Sequence, residues 1–524
     1  MAPTCYKYKS TRGGQKGVGF EETVMTGLAR DKGLFVPEDV PFLGMEKIEQ
    51  WRALPFADLA FEIMKCYISP AEIPHEDLKD LVYRSTVNFR SDEVTPVREV
   101  GPGAPFFLEL FHGPTFAFKD VALQFLGNLF EYFLGRQPGA KLTVMGATSG
   151  DTGSAAIYGL RGKKNVNCFI LFPTGKVSPI QERQMTTVPD ANVHCISLAG
   201  TFDDAQDIVK ASFNDAAFRE EVSIGAVNSI NWARVLAQMS YFFYAYFRVT
   251  ERCPGKDEVS FSVPTGNYGD ILAGYYAKRM GLKVKQLVVA TNENDILHRF
   301  FTTGKYHRRA FIETLAPSMD ICVSSNFERY LFHLSGDDAA TLAGWFAEFE
   351  KTGQLTVTGD LLAKAQSEFG SGSFHMENNI KLIKQYWDEY RYAMCPHTCV
   401  GAGVVHGRPL AANEAMVVLA TASPGKFPAA VGKAIQPLPR PPVQLAVLDR
   451  MPTRKTELPN DARAVQDFVR ATLRSSGVAP AAGQGGAAAP PCQAGRGKGK
   501  VPSLVALGLG VGLGLLLSRK VFAK

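Results

Sequence analysis

The sequence predicts an α/β fold built on parallel sheets, and three observations carry that expectation. Two segments read as complete strand, loop, helix, strand units, and the ninety or so residues ahead of them contain nothing of the kind. The first unit runs from KLTVMGA through TSGDTG into SAAIYGLRG and returns as VNCFILF, ending at Phe172. The second begins at VSFSV, turns at PTGNYGD, continues as ILAGYYAKRM, breaks at Gly281 and returns as KVKQLVVAT. In each, an apolar run ends in a glycine-bearing turn and gives way to helical periodicity.

At 524 residues the chain exceeds one small core, and about 100–200 residues per domain gives two to four domains. Residues 1–96 alternate short helical stretches with turns such as VPEDVP and SPAEIPHED, and read as an N-terminal accessory domain. The catalytic-type core follows over 97–440 as two α/β subdomains, with WARVLAQMSYFFYAYF a helix whose apolar residues are core packing. A proline-rich C-terminal extension occupies 441–476, and 477–500 has so little to bury that it reads as a disordered linker. Residues 501–518 are mostly apolar, with four glycines and basic flanks. As a helix the apolar run would span about 25 Å, against a hydrocarbon core of roughly 30 Å. A tail anchor and a structureless tail therefore both stay open.

Hydrophobic residues make up 46% of the chain and charged ones 21%, ordinary soluble usage that points away from a polytopic membrane protein. The net charge of +6 forms no aromatic-interleaved patch, so nucleic acid is not an expected partner. Nine scattered cysteines read as reduced thiols and, with no apolar run near the start, place the protein in the cytoplasm, tethering to an intracellular membrane resting on the tail alone. Cys395, His397 and Cys399 are capable of binding a metal, but no second ligand pair accompanies them and no metal is expected. SPGKF around Lys426 lacks the glycine and hydroxyl of a P-loop, and neither a full dinucleotide fingerprint nor a GxSxG elbow is present.

Three segments carry chemistry. In the first, FFLEL passes through the turn FHGPTFAFKD into an amphipathic helix, with Lys119 at the junction. Phenylalanine neighbours and a helix start favour the neutral amine that imine formation needs. The second, Thr148-Ser149-Gly150-Asp151-Thr152-Gly153, turns a strand into a helix with small and hydroxyl residues, so that backbone N–H groups and the helix dipole can attract an anion. The third, Thr265-Gly266-Asn267-Tyr268-Gly269-Asp270, has the same build. Each loop alone can equally be an ordinary capped turn. Together with the lysine they describe a small site for a phosphorylated cofactor and an anionic substrate.

HGPTFAFKDVALQFLGNLF, GATSGDTGSAA, PTGNYGDILAGYYAKRMGL and LATASPGKFPAAV resemble the threonine synthase family of fold-type II pyridoxal-phosphate enzymes, and the likeness extends to the N-terminal YKSTRGG and GLARDKGLFVPEDVP. It reaches to about Pro439 and looks closest to the animal proteins called threonine synthase-like 2. The resemblance implies a tryptophan synthase beta-like fold, two open subdomains enclosing pyridoxal 5'-phosphate. It makes Lys119 the Schiff-base lysine, sets Gly266, Asn267, Tyr268 and Asp270 around the cofactor phosphate, and points Thr421 at the pyridine nitrogen. Thr148, Ser149 and Thr152 would bind the substrate carboxylate, with Asp151 near the cofactor hydroxyl. Where the family usually reads Asp-Pro-His-Thr, this chain has Cys395-Pro396-His397-Thr398. That lost acid and the animal resemblance favour a phospho-lyase, eliminating phosphate from O-phosphothreonine or O-phosphohomoserine to give 2-oxobutyrate, ammonia and phosphate. Threonine synthesis from phosphohomoserine is the alternative, and a non-catalytic interaction or secreted signalling protein on the same fold is a second.

Overall fold

The computed structural model describes residues 3–225 and 227–475. The segments read as linker and tail anchor, 477–500 and 501–518, lie outside the described residues, and no helix among the described residues is long and apolar enough to cross a membrane.

The N-terminal region pairs β1 (Tyr8–Ser10) with β2 (Phe35–Pro37) antiparallel and carries helices α1 (Phe56–Met64) and α2 (His75–Thr86). Then come β3 (Val97–Glu99), β4 (Phe106–Glu109) and α3 (Lys119–Gly135). The first predicted unit is β5 (Leu142–Ala147), α4 (Asp151–Leu160) and β6 (Val166–Pro173), followed by β7 (Val193–Leu198), β8 (Ile224–Gly225) and the long helix α5 (Trp232–Arg252). The second unit is β9 (Glu258–Pro264), α6 (Gly269–Arg279) and β10 (Val284–Thr291). Beyond it lie α7 (Phe327–Leu334), β11 (Phe369–Ser373), α8 (Pro396–Val405), β12 (Glu414–Ala420), β13 (Thr456–Leu458) and α9 (Ala462–Ser475).

These strands form two parallel sheets. One has the order β11-β10-β9-β12-β4-β3, with only β3 antiparallel. The other, β13-β7-β6-β5-β8, is parallel throughout. Strands β6, β9 and β12 are buried along nearly their whole length, as parallel strands covered by helices on both faces must be. Helix α5 is buried on almost every face and gathers the N-terminal region onto the core: Tyr8 sits 5.8 Å from Trp232, and Phe56 5.6 Å from Tyr244, ring to ring. Helices α3 and α4 cross with their backbones nearly touching. A Cβ at Gly127 would lie 1.9 Å from Gly159 O, so only glycine permits the approach that brings Lys119 and Asp151 to one cleft.

The stretch from 441 does more than extend the chain. Strand β13 adds a parallel edge to β7, and α9 lays Val465, Val469 and Leu473 in one apolar cluster with Ile196 of that strand and Ile208 of the helix Phe202–Asn214. Its prolines drew the composition-based reading, while the signal lay in the i, i+4 spacing of the two valines.

Candidate active site

The site lies where parallel sheets place ligands, outside the carboxyl ends of their strands. Three neighbours in the first sheet, β4, β12 and β9, lead into Lys119, Thr421 and the Gly266–Asp270 turn, and β5 of the second sheet leads into the Thr148–Gly153 turn. Hydrogen bonds continue beyond β4 and β12: Phe118 N donates to Thr421 O at 2.8 Å and Ser423 N to Phe116 O at 3.1 Å. Lysine and threonine are thereby held on adjoining turns.

Lys119 is the first residue of α3 and is 8% exposed, its amine 4.7 Å from the centre of the Phe118 ring. Burial pushes this amine below the ordinary lysine range; Asp151 opposes the shift, while Lys426 and Arg234 add to it. Asp151 behaves oppositely. Burial works against its charge, but Lys426, Lys119 and His397 outweigh burial and hold the carboxyl well below the usual range. Its Oδ1 lies 2.5 Å from Lys426 Nζ and accepts from Gln181 Nε2 at 2.9 Å, and its Oδ2 accepts from Ser318 Oγ at 3.2 Å.

The two anion loops differ in what they offer. Thr148 Oγ1 accepts from Gly150 N and Gly153 N, both at 2.9 Å, so this hydroxyl shapes its own turn. Ser149 is exposed and Thr152 half-buried, leaving those two side chains to face the opening. At the other loop, Tyr268 takes a left-handed φ of 61° and caps α6. Its ring turns away into an aromatic cluster, 5.2 Å from Phe327 and 5.7 Å from Phe369, so the tyrosine offers a ligand only backbone. Asn326 fixes the loop from outside, its N and Nδ2 both donating to Asn267 O at 3.0 Å. A Cβ at Gly266 would come within 3.0 Å of Ser318 O and Ile321 Cγ1. The first-turn N–H groups of α6 have no helical partners and open on this cradle.

Asp270 accepts a hydrogen bond from Tyr241 Oη, while its other oxygen, Oδ2, is buried without a partner. Burial pushes the carboxyl up to about 7, against the Tyr241 bond and the charge of Lys119. The sign follows. A folded value above the unfolded 3.8 contributes stability that is present below pH 4 and lost as pH rises through about 7. In the cofactor-free protein, Asp270→Asn is expected to match the parent's unfolding midpoint near pH 4 and exceed it near pH 8. Thermal melts across that range check this, and parallel curves would refute it.

Sequence reasoning passed over several residues here. Lys426, fully buried, entered only as a failed P-loop lysine, although it shares the LATASPGKFP stretch with Thr421. Thr398 Oγ1 accepts from Thr421 N at 3.2 Å, and His397 Nε2 accepts from Ser318 N at 3.2 Å. Burial takes His397 down to about 4, Asp151 opposing and Lys119 and Lys426 adding to the shift. Gln181, Tyr241 and Ser318 reach the site across large sequence separations and carry no local signal. Among the described residues no three His, Cys, Asp or Glu side chains are grouped to hold a metal, and Cys399 Sγ donates to Asn379 O at 3.3 Å.

A buried amine tuned toward neutrality, a helix-start cradle, a hydroxyl on the adjoining turn and an acid with one unpartnered oxygen fit pyridoxal phosphate, which brings an aldehyde, a phosphate and a ring nitrogen. On this two-sheet frame they define a fold-type II pyridoxal-phosphate enzyme. A family model for pyridoxal-phosphate dependent enzymes matches residues 93–344, flanked by models for the threonine synthase N terminus at 7–86 and C-terminal region at 398–469. The threonine synthase of Schizosaccharomyces pombe is 51% identical over 460 residues, covering 82% of this chain and 89% of that one. The crystal structure of threonine synthase from yeast superimposes with a TM-score of 0.86 at 45% identity, over 90% of this chain and 99% of that one. The PLP-bound threonine synthase from Brucella melitensis gives 0.86 at 42%, over 89% and 99%. The chain belongs to the threonine synthase family. Its expected nearness to threonine synthase-like 2 is not supported: the mouse protein of that name is 38% identical over 85% of this chain and 92% of its own length, below the fungal synthases.

Proposed function

We propose that the chain is a threonine synthase, converting O-phosphohomoserine and water into threonine and inorganic phosphate. The observation that carries this reading is the 51% identity with a threonine synthase over 82% of this chain. Both arguments for the phospho-lyase weaken. Nearness to threonine synthase-like 2 is gone, and Cys395 still caps α8, its Sγ accepting from Thr398 N at 3.4 Å. Thr398 thus keeps its grip on Thr421 without the acid. Eight unpaired cysteines among the described residues favour the cytoplasm as its place of work.

Bound pyridoxal phosphate supplies an electron sink for a carbanion at the substrate α-carbon. Lys119 Nζ would be the attachment point for the cofactor and, when free, the base at the α-carbon; burial shifts the amine toward the neutral form that this role needs. Gly266, Asn267 and the backbone of Tyr268 would hold the cofactor phosphate at the start of α6, with Asp270 behind them. Thr421 would supply the hydroxyl toward the ring nitrogen, a neutral partner that would leave that nitrogen unprotonated. Ser149 and Thr152 would bind the substrate carboxylate on a turn that Thr148 shapes, and Asp151 would serve the cofactor hydroxyl.

Incubating the holoenzyme separately with O-phosphohomoserine and O-phosphothreonine, and quantifying threonine and 2-oxobutyrate, tests the reading. Threonine should dominate from the first substrate. If 2-oxobutyrate dominates from either, the lyase reading replaces this one.

A further inference from the structure

The turn Pro424–Lys426, just past Thr421, brings a second lysine into the cleft. Lys426 is 0% exposed; its ammonium is paired with Asp151 Oδ1 at 2.5 Å, and no second acceptor reaches Nζ. An ammonium carries three donors and no acceptor, and burying them unfilled is unfavourable. Asp151 is in the opposite condition: besides touching Lys426 it accepts from both Gln181 and Ser318. The acid is satisfied and the base is not. What the pair lacks is therefore an acceptor such as an anion, not a further cation.

The identity of that anion follows by elimination, and this step rests on the synthase reading above. Three anionic groups meet in the cleft: the cofactor phosphate, the substrate carboxylate and the substrate phosphate. The first two have helix-start loops at Gly266–Asp270 and Ser149–Thr152. The substrate phosphate has none. Lys119 cannot serve it, because it must act as a neutral amine, and Arg234, although its Nε is also unpartnered, is committed through Nη1 to Val227 O at 3.1 Å. His397 already accepts from Ser318 N through Nε2.

We infer that Lys426 receives the phosphate group of the substrate and determines specificity for phosphorylated amino acids. As the carbon–oxygen bond to the phosphate breaks, its electron pair passes to the bridging oxygen. The Lys426 N–H groups meet the charge that develops there. One ammonium proton brings the product to hydrogen phosphate, and the water that gives its hydroxyl to the β-carbon returns a proton to Lys426. No oxidant or reductant is involved.

The test uses inorganic phosphate as the probe, titrated into holoenzyme by calorimetry and as a competitive inhibitor. Lys426→Met is expected to weaken phosphate binding at least about tenfold and to raise KM for O-phosphohomoserine, with the visible band of the bound cofactor unchanged. Lys426→Arg should recover most of the affinity. Since Lys426→Met strands the Asp151 charge, the double variant K426M/D151N serves as the neutral reference should the single variant fold poorly, and it too should lose phosphate. Phosphate affinity equal to the parent's in these variants overturns the inference, even where the parent makes threonine. A shifted cofactor band with phosphate affinity intact also overturns it, assigning Lys426 to the cofactor. A parent that makes no threonine, but whose phosphate affinity still falls on Lys426→Met, supports the phosphate site and removes the synthase reading alone.

Discussion

Lys119→Ala is expected to lose the visible absorbance of covalently attached cofactor and to lower kcat by at least roughly 10⁴-fold, because one substitution removes both the attachment amine and the base. The other buried lysine cannot take over, since Lys426 is held against Asp151 while Lys119 lies against the Phe118 ring with its amine shifted toward neutrality. A small primary amine added to the variant should restore part of the activity, which a misfolded protein would not allow. Activity within tenfold of the parent, with the absorbance retained, would show that Lys119 has neither role.

The fold was legible because its two βαβ units are local. Each strand, turn and helix lies within about thirty-five residues, and glycine and hydroxyl residues mark the turns. Lys119 stood out at a strand-to-helix junction, whereas Asp151 and Asp270 came only with the family resemblance; in the structure all three lie in the first turn of a helix. What could not be read was the company they keep. Ser318 reaches Asp151 across 167 positions, and Tyr241 reaches Asp270 across 29. Side-chain direction was also hidden. Tyr268 sits in the right motif, but its left-handed cap sends the ring into the core, and Thr148 turns its oxygen onto its own loop. At Cys395 the missing acid drew a chemical reading, and the structure adds that the thiol keeps the capping contact with Thr398 N.

The largest effect on stability is expected away from the chemistry, at Arg329 on α7. Its guanidinium is fully buried, and its three arms reach three parts of the chain: Nε donates to Phe35 O at 2.8 Å, Nη1 to Asn326 Oδ1 at 2.5 Å and Nη2 to Ile230 O at 2.6 Å. Burial draws it down to about 10, still charged at neutral pH. Arg329→Met relieves the desolvation of that charge, which on its own would stabilise. It also strands three buried acceptors at about 1–3 kcal/mol each, and the second effect wins. A net loss of about 3 kcal/mol is expected, read as a lower denaturant midpoint. Lysine cannot repair it, because a single ammonium does not reproduce a planar fork reaching three acceptors. The loss should extend to the cofactor, since Asn326, freed from Arg329, is the residue that holds Asn267 O. Arg329→Met should therefore release pyridoxal phosphate more readily than the parent at equal folded fraction. An unchanged midpoint together with unchanged cofactor retention would show that Arg329 merely fills space.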